Sequence, residues 1–439
     1  MDLNTCLLQA QAQNPSVQAQ RFGVSAARAA RDSVRGGFGP TLKANSTVMV
    51  WDQETTMDFG DSLSGFSIPG VVIPPMKPTV VQEQVTTDSS LTLAQPLTPL
   101  WAVYHGFKAA GLQVDVEAVR LRNARRALAL ATVEAWFSSL QAQELHDTLE
   151  LSFQRTTEHL ANVEKLQAAD LVGLSDVLKV RSALASVKQL VISTSNLVRL
   201  SRANLATQLG LGAAREPVAD PSALLVEGAL PAPEAPVETL DQALETAGER
   251  RPEVQELRLS LRQLSHQRDL VWNEFIPTVV GLGTVKHTTG STFQKEDSWF
   301  VGLTLDWTVW QWGSSKYKLD ENSARRRQAE QALRQLMDYI QLEVKQAWLE
   351  LDTSVKELDA IADRLREAQE NYRVQQRLYE ESYKTMTDLL DAESALRSAQ
   401  SDQAVARYKA WIARVRLSRA MGEPVGSWLP GLDSKRLAF

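Results

Sequence analysis

The residues able to do covalent or metal chemistry are few and scattered. Gly36-Gly37-Phe38-Gly39-Pro40 is glycine-rich. A phosphate loop places such glycines ahead of a helix, so that amides at the helix N-terminus meet the anion. Here the run leaves a helical pattern and leads into a strand pattern. The histidines, at 105, 146, 159, 266 and 287, have no ligand spacing along the chain, and HExxH, GxSxG and P-loop patterns are absent. Cys6 is the single cysteine, which excludes an intrachain disulfide framework and a Cys-based zinc site. The expectation is a protein that is not an enzyme, with no cofactor and no metal site.

Composition narrows the class further. Lys+Arg total 47 against Asp+Glu 53 in 439 residues, a net charge of -6, whereas a nucleic-acid binder carries a basic footprint. A hydrophobic content of 44% supports a large core. No run of 18 apolar residues exists, so no transmembrane helix is expected. The first residues lack the basic and apolar regions of a signal peptide, which leaves either a cytoplasmic chain or one whose signal was removed and replaced by Met1. Leu3-Asn4-Thr5-Cys6 loosely resembles a lipoprotein cleavage site. With no apolar stretch before it, Cys6 is expected to be a small buried position on a short helix.

Proline divides the chain into elements. None occurs between Pro99 and Pro217 or between Pro277 and Pro424, and both stretches are rich in Ala, Leu, Gln, Arg and Glu, which favour helix. Long helices are expected over about 101–167 and 313–381, each followed by a break and a return helix. Ser175 and Thr387 stand where the N-caps of the returns are expected. Residues 211–238 carry five prolines, at 217, 221, 231, 233 and 236, and read as an irregular connector.

An internal repeat joins these elements. Leu3, Leu7, Ala10, Pro15, Val17, Phe38, Pro40 and Thr41 match Leu240, Leu244, Ala247, Pro252, Val254, Phe275, Pro277 and Thr278 at an offset of 237. From residue 91 to 210 the offset is 212: Leu91, Leu93, Ala135, Trp136, Asp176, Leu184 and Gly210 match Leu303, Leu305, Ala347, Trp348, Asp388, Leu396 and Gly422. The difference is an insertion in the first half within about 51–84, a long loop that includes Phe59, Gly60, Gly65, Phe66, Pro69, Gly70, Pro74, Pro75 and Pro78. The last helix of the second copy has a seam at Leu389, Ala392, Leu396, Ala399, Gln403, Ala406, Ala410, Ala413, Leu417 and Ala420. These steps of 3 and 4 are the period of a coiled coil. The equivalent positions of the first copy run from Val177 to Gln208.

The expected boundaries are a first repeat over 1–210, a connector over 211–238, a second repeat over 239–422 and a tail over 423–439. The first repeat has strands at about 41–51 and 85–98 and a helical hairpin over 101–210 with its tip at 168–176. The second has strands at about 278–288 and 298–310 and a hairpin over 313–422 with its tip at 382–388.

The strands discriminate between environments. Trp299, Val301, Leu303, Leu305, Trp307 and Val309 alternate with Phe300, Gly302, Thr304, Asp306 and Thr308. That period of two fits a membrane strand, apolar toward lipid and mostly polar toward a lumen, although a soluble sandwich strand alternates in the same way. Trp299 and Trp307 would lie roughly 26 Å apart along a strand and mark two aromatic girdles. Leu91, Leu93 and Leu97, and Leu42, Ala44, Val48 and Val50, give matching faces. Four strands cannot close a barrel, and an open edge is forbidden in lipid. Three copies of four strands would give twelve.

The duplicated helix–strand–strand–hairpin order resembles the TolC-like outer-membrane efflux proteins over nearly the whole chain. The motifs are Gln13-Asn14-Pro15 and Arg251-Pro252 opening each half, Pro40 and Pro277 at the strand starts, and the tip segments Val172-Gly173-Leu174-Ser175-Asp176 and Thr387-Asp388-Leu389-Leu390-Asp391-Ala392. The fold class this implies is mainly α with membrane β: a homotrimer whose 12-stranded β-barrel continues into a 12-helix α-barrel tunnel. It further implies residence in the outer membrane of a Gram-negative bacterium, surrounded by outer-membrane lipid and extending into the periplasm. The partners implied are a periplasmic adaptor protein and an inner-membrane transporter, with no nucleic acid. The function implied is the exit duct of a tripartite efflux or type I secretion system, gated at its periplasmic tip.

Carried over residue by residue, the resemblance implies a gate latch pairing Tyr379 with Asp176 and Lys384 with Ser175. Lys384 stands where the family commonly has arginine, and Lys lacks the bidentate fork of Arg. Ser382 stands where glycine is common. Asp388 and Asp391 match the acidic constriction, which threefold symmetry would repeat as rings that attract cations. An aspartate in a first helical turn also serves as a cap. Val172, Gly173, Leu174 and Ser175 match the contact with the adaptor. Two other classes remain: a soluble coiled-coil scaffold, which the missing signal peptide favours, and a periplasmic adaptor, which has one hairpin in a β-rich body where this chain has two.

Overall fold

The computed structural model describes residues 1–57, 78–220, 232–236, 238–381 and 383–437. Most of the insertion expected within 51–84, from Phe59 to Pro75, lies outside the described residues, as does Ser382. Helices α1 (Leu3–Gln13) and α2 (Pro15–Gly36) precede strands β1 (Thr41–Val50), β2 (Thr55–Met57) and β3 (Thr79–Pro96). Helix α3 (Leu100–Ala168) and its return α4 (Leu174–Gln208) follow. After the connector come α5 (Leu240–Arg250), α6 (Pro252–Trp272), β4 (Thr278–Ser291), β5 (Asp297–Asp306), α7 (Ser314–Glu380) and α8 (Met386–Ala420). The chain divides into two compact units, one of Met1–Ser25, Asp115–Arg258 and Glu330–Phe439, the other of Ala26–Val114 and Leu259–Ala329.

The second unit holds an antiparallel sheet in the order β1-β3-β4-β5, with short β2 also on β3. The register aligns the alternating residues. Leu42 faces Leu93, Ala44 faces Leu91, Leu93 faces Gly283, Leu91 faces Val285, Gly283 faces Val301 and Val285 faces Trp299. Paired residues share a face, so one side of the sheet is apolar across all four long strands. That side is uncovered: Trp299 is 76%, Val301 77% and Leu303 72% exposed. The other side carries polar pairs, such as the Thr92 and Thr284 hydroxyls at 3.0 Å and Lys286 Nζ to Asp88 at 3.1 Å.

Three strand boundaries differ from the sequence reading, and the first is the end of β4, at Ser291 rather than near 288. β3 begins at Thr79 rather than near 85, because its first residues pair with β2 inside the region assigned to the insertion. β5 ends at Asp306 rather than near 310. Trp307 and Val309 therefore lie beyond the sheet, because β4 pairing begins at Thr278 opposite Asp306 and offers nothing further to bond.

The first unit is helical. Its main core draws Leu3, Cys6 and Leu7 from α1, Trp136 and Phe137 from α3, Leu205 from α4, Trp411 and Val415 from α8, and Trp428 and Leu437 from the tail. The segment expected as the tail thus contributes Val425, Trp428, Leu429 and Leu437 to this core. Burial pushes the Cys6 thiol up to about 11. Of the seam on α8, all but Gln403 are buried. A second buried stripe on α8, including Glu393, Ala404, Tyr408, Trp411 and Val415, packs toward α3, with the Phe137 and Trp411 rings stacked at 6.3 Å. Both return helices end on a glycine in the left-handed region, Gly210 (φ 74) and Gly422 (φ 80). The backbone closes with Leu211 N–H on Ala206 O and Glu423 N–H on Ser418 O, which satisfies carbonyls the helix would leave open.

Candidate functional site

The helical turns 169–173 and 381–385 lie in the first unit and are built by their caps. After α3, Asp170 takes a left-handed conformation (φ 57), and Leu171 N–H bonds Leu166 O at 3.0 Å. Aspartate tolerates this region better than most residues with a Cβ. Helix α4 then starts from Gly173, which is extended and offers no side-chain cap. After α7, Tyr383 N–H and Lys384 N–H both bond Leu378 O, at 2.8 and 3.3 Å. Thr385 caps α8 in a capping box: its hydroxyl accepts from Asp388 N–H, while its own N–H donates to the Asp388 carboxylate at 3.0 Å.

The N-caps are therefore Gly173 and Thr385, two residues before the expected Ser175 and Thr387. The extended backbone that defines a cap falls at the earlier positions. Ser175 and Thr387 are second helical residues, and Asp176 and Asp388 are third. There a carboxylate also meets the positive end of the helix dipole.

The two turns share one hydrophobic core. Val163 of α3, Val177 and Val180 of α4, and Met386 and Leu389 of α8 are buried together, with Val172, Tyr372, Tyr379 and Leu390 at the edge. Tyr379 packs here, where burial raises its hydroxyl pKa and the negative charge of Asp176 adds to the shift. Asp176 accepts from Lys179 Nζ at 3.4 Å, and the same ammonium donates to Thr387 Oγ1 at 3.1 Å. Lys179 thus ties the first turn to the second. The sequence reading missed it, although the i,i+3 spacing from Asp176 was visible.

Lys384 is exposed and, among the described residues, makes no hydrogen bond to Ser175; its charge acts on Asp388 instead. The hydrogen bonds from the Thr385 hydroxyl and then its N–H hold Asp388 below its ordinary 3.8, with Lys384 adding to them. Asp391 is exposed on α8. Gly173, Leu174 and Ser175 are exposed and Val172 is half-buried. Beyond the turn, Glu393 is buried and accepts from the Ser152 and Thr156 hydroxyls, both at 3.3 Å. Nothing in the order of residues announces this carboxylate, because it lies on the second stripe of α8 rather than on the seam.

This arrangement has recognisable relatives. The sequence matches the outer membrane efflux protein family over residues 7–211 and 243–423. The chain belongs to that family. The family comprises outer-membrane efflux channels, which are transporters rather than enzymes, so the TolC-like reading stands.

Solved structures agree in fold. VceC from Vibrio cholerae superimposes with a TM-score of 0.75 at 15% identity, over 96% of this chain and 96% of its own. The CmeC outer membrane channel of Campylobacter jejuni gives 0.75 at 13%, over 96% and 85%. The open state of the MtrE outer membrane channel of Neisseria gonorrhoeae gives 0.73 at 18%, over 96% and 89%. No curated protein sequence matches.

Proposed function

We propose that three copies of this chain form the exit duct of an efflux or type I secretion system. Twelve strands would close as a barrel in the outer membrane of a Gram-negative bacterium, and twelve long helical segments would line a periplasmic tunnel. The observation that carries this reading is the sheet. Among the described residues, β1 and β5 each pair on one side only, and the apolar face is bare. Unpaired strand edges are not tolerated in lipid, so neighbouring copies must supply the missing partners. β1 and β5 have 10 residues each, within the roughly 9–11 that span a bilayer. Exposed aromatic residues flank both ends of the sheet, with Trp101, Trp272, Trp307 and Trp310 at one end and Trp51, Phe293 and Trp299 at the other. Such belts sit at the two membrane interfaces. Exposed Leu178, Leu190, Ile192, Leu197 and Leu200 on α4 offer a further apolar surface for a neighbouring copy.

Gating is assigned to the tips. Tyr379 with Asp176 forms the latch, joined by Lys384 with Ser175, a pair that makes no hydrogen bond within one chain and would have to close between neighbouring copies. Asp388 and Asp391 form carboxylate rings around the threefold axis. The exposed segment from Val172 to Ser175 meets the periplasmic adaptor, which links the duct to an inner-membrane transporter. The shared core beneath both turns supports this reading, because movement of either hairpin end disturbs the other.

Native mass spectrometry of the detergent-extracted protein tests the assembly. The expected species is three times 48.6 kDa, about 146 kDa. A monomer or dimer soluble without detergent would leave the strands no way to close in lipid and would favour a soluble scaffold.

A further inference from the structure

We infer a binding site for a divalent transition-metal ion of the zinc class, formed by His105, His266 and Asp269 in the unit that carries the sheet. The fold explains how residues so distant in sequence meet. β3 and β4 are antiparallel neighbours, with Pro96 opposite Val280. The start of α3, just after β3, therefore lies against the end of α6, just before β4. His105 belongs to the second turn of α3, and His266 and Asp269 are one helical turn apart on α6, on one face.

His105 Nδ1 lies 3.1 Å from His266 Nδ1 and 3.3 Å from Asp269 Oδ2, and the three ligand atoms all fall within 4.8 Å of one another. Ligand bonds of about 2.0–2.2 Å place neighbouring donors roughly 2.9 Å apart at right angles and about 3.3 Å apart in a tetrahedron. The two observed separations fall within that range. Two imidazoles and one carboxylate are a donor set suited to zinc, with one position left for water or an exogenous ligand.

The surroundings are those of a built site. Asp269 uses its other oxygen, Oδ1, to accept from Arg268 at 3.0 and 3.3 Å, which orients the carboxylate and leaves Oδ2 for an ion. His105 is buried, with the rings of Trp101 and Tyr104 against it at 4.5 and 5.3 Å. Its Nε2 is buried and, among the described residues, has no hydrogen-bond partner. If Nδ1 carries the proton, Nε2 is a bare acceptor away from water, a costly arrangement. With an ion on Nδ1, the hydrogen moves to Nε2, and the bare acceptor is gone. A bound ion would also pin α3 to α6 where the strands begin and end.

The test uses the full chain, purified in detergent and stripped with a chelator. It is titrated with Zn2+ by calorimetry and with Co2+ by visible absorption. The expected result is one ion per chain, with Co2+ bands that Zn2+ displaces. His266→Asn should weaken binding by at least about 10-fold, the lower end of what even an outer partner contributes. His287→Asn, at an exposed histidine paired with Asp297, should leave binding unchanged. Circular dichroism checks that each variant folds. If His266→Asn does not, Arg268→Ala decides, with a loss of about 10-fold expected. No saturable uptake, or uptake undiminished in the folded variant, overturns the site and leaves a hydrogen-bonded helix junction.

Discussion

Truncating Leu389 to alanine should open the helical tips without unfolding the rest of the chain. Leu389 is fully buried among Val163, Val177, Val180 and Met386. Leu→Ala changes in cores cost about 2–5 kcal/mol, more where the site cannot collapse. The neighbours come from three helices, and three of them are β-branched valines with stiff side chains, so a loss near 3 kcal/mol is expected. At 1.4 kcal/mol per tenfold, that raises the open population of the tip on the order of 100-fold. The cluster is separate from the core around Trp136 and Trp428, so the opening should stay local. Hydrogen exchange read by mass spectrometry on peptides covering 160–180 and 372–395 measures it. Asn162→Ala, at an exposed polar position on α3, should change exchange by less than a few-fold. The argument fails if tip exchange in Leu389→Ala equals that of the parent. It fails equally if peptides containing Trp136 and Trp428 accelerate to the same extent.

Three further outcomes are expected. Replacing Tyr379 with Phe and Lys384 with Ser together should loosen the latch and raise single-channel conductance; an unchanged conductance would remove these residues from the gate. Asp388→Asn with Asp391→Asn should weaken block of the pore by multivalent cations. Because the folded pKa of Asp388 is depressed below 3.8, its charge and the hydrogen bonds that favour it are fully present above that value. They are lost only as pH falls through the lowered pKa, so block in the parent should persist down to about pH 4 and vanish only in stronger acid. Gly210→Ala should destabilise the chain by at least 1–2 kcal/mol in denaturant titration, as the left-handed conformation alone costs about that much. Its new Cβ would also meet Gln13 O at 2.8 Å; equal stability would show that the turn relaxes freely.

The sequence by itself determined the periodic features. The 3-and-4 steps from Leu389 to Ala420 marked the buried seam of α8, and the alternation from Trp299 to Leu305 marked one face of β5. Long proline-free runs marked the extent of the helices. Each of these signals is local, because helical and strand periods write burial directly into neighbouring residues.

The tertiary structure decided what depends on pairing between distant segments. β5 stops at Asp306 because β4 offers no further partner, although the apolar alternation runs on to Val309. The second stripe of α8, with Glu393 and Tyr408, is buried because α3 lies against it, and nothing along α8 announces that neighbour. Lys179 reaches Thr387 only because the two turns share a core. His105 meets His266 and Asp269 only because β3 pairs with β4, so the spacing that showed no ligand set in sequence becomes a three-residue cluster in space. A chain records its own periods in its order of residues, but contacts between elements follow from register and packing, which no single segment contains.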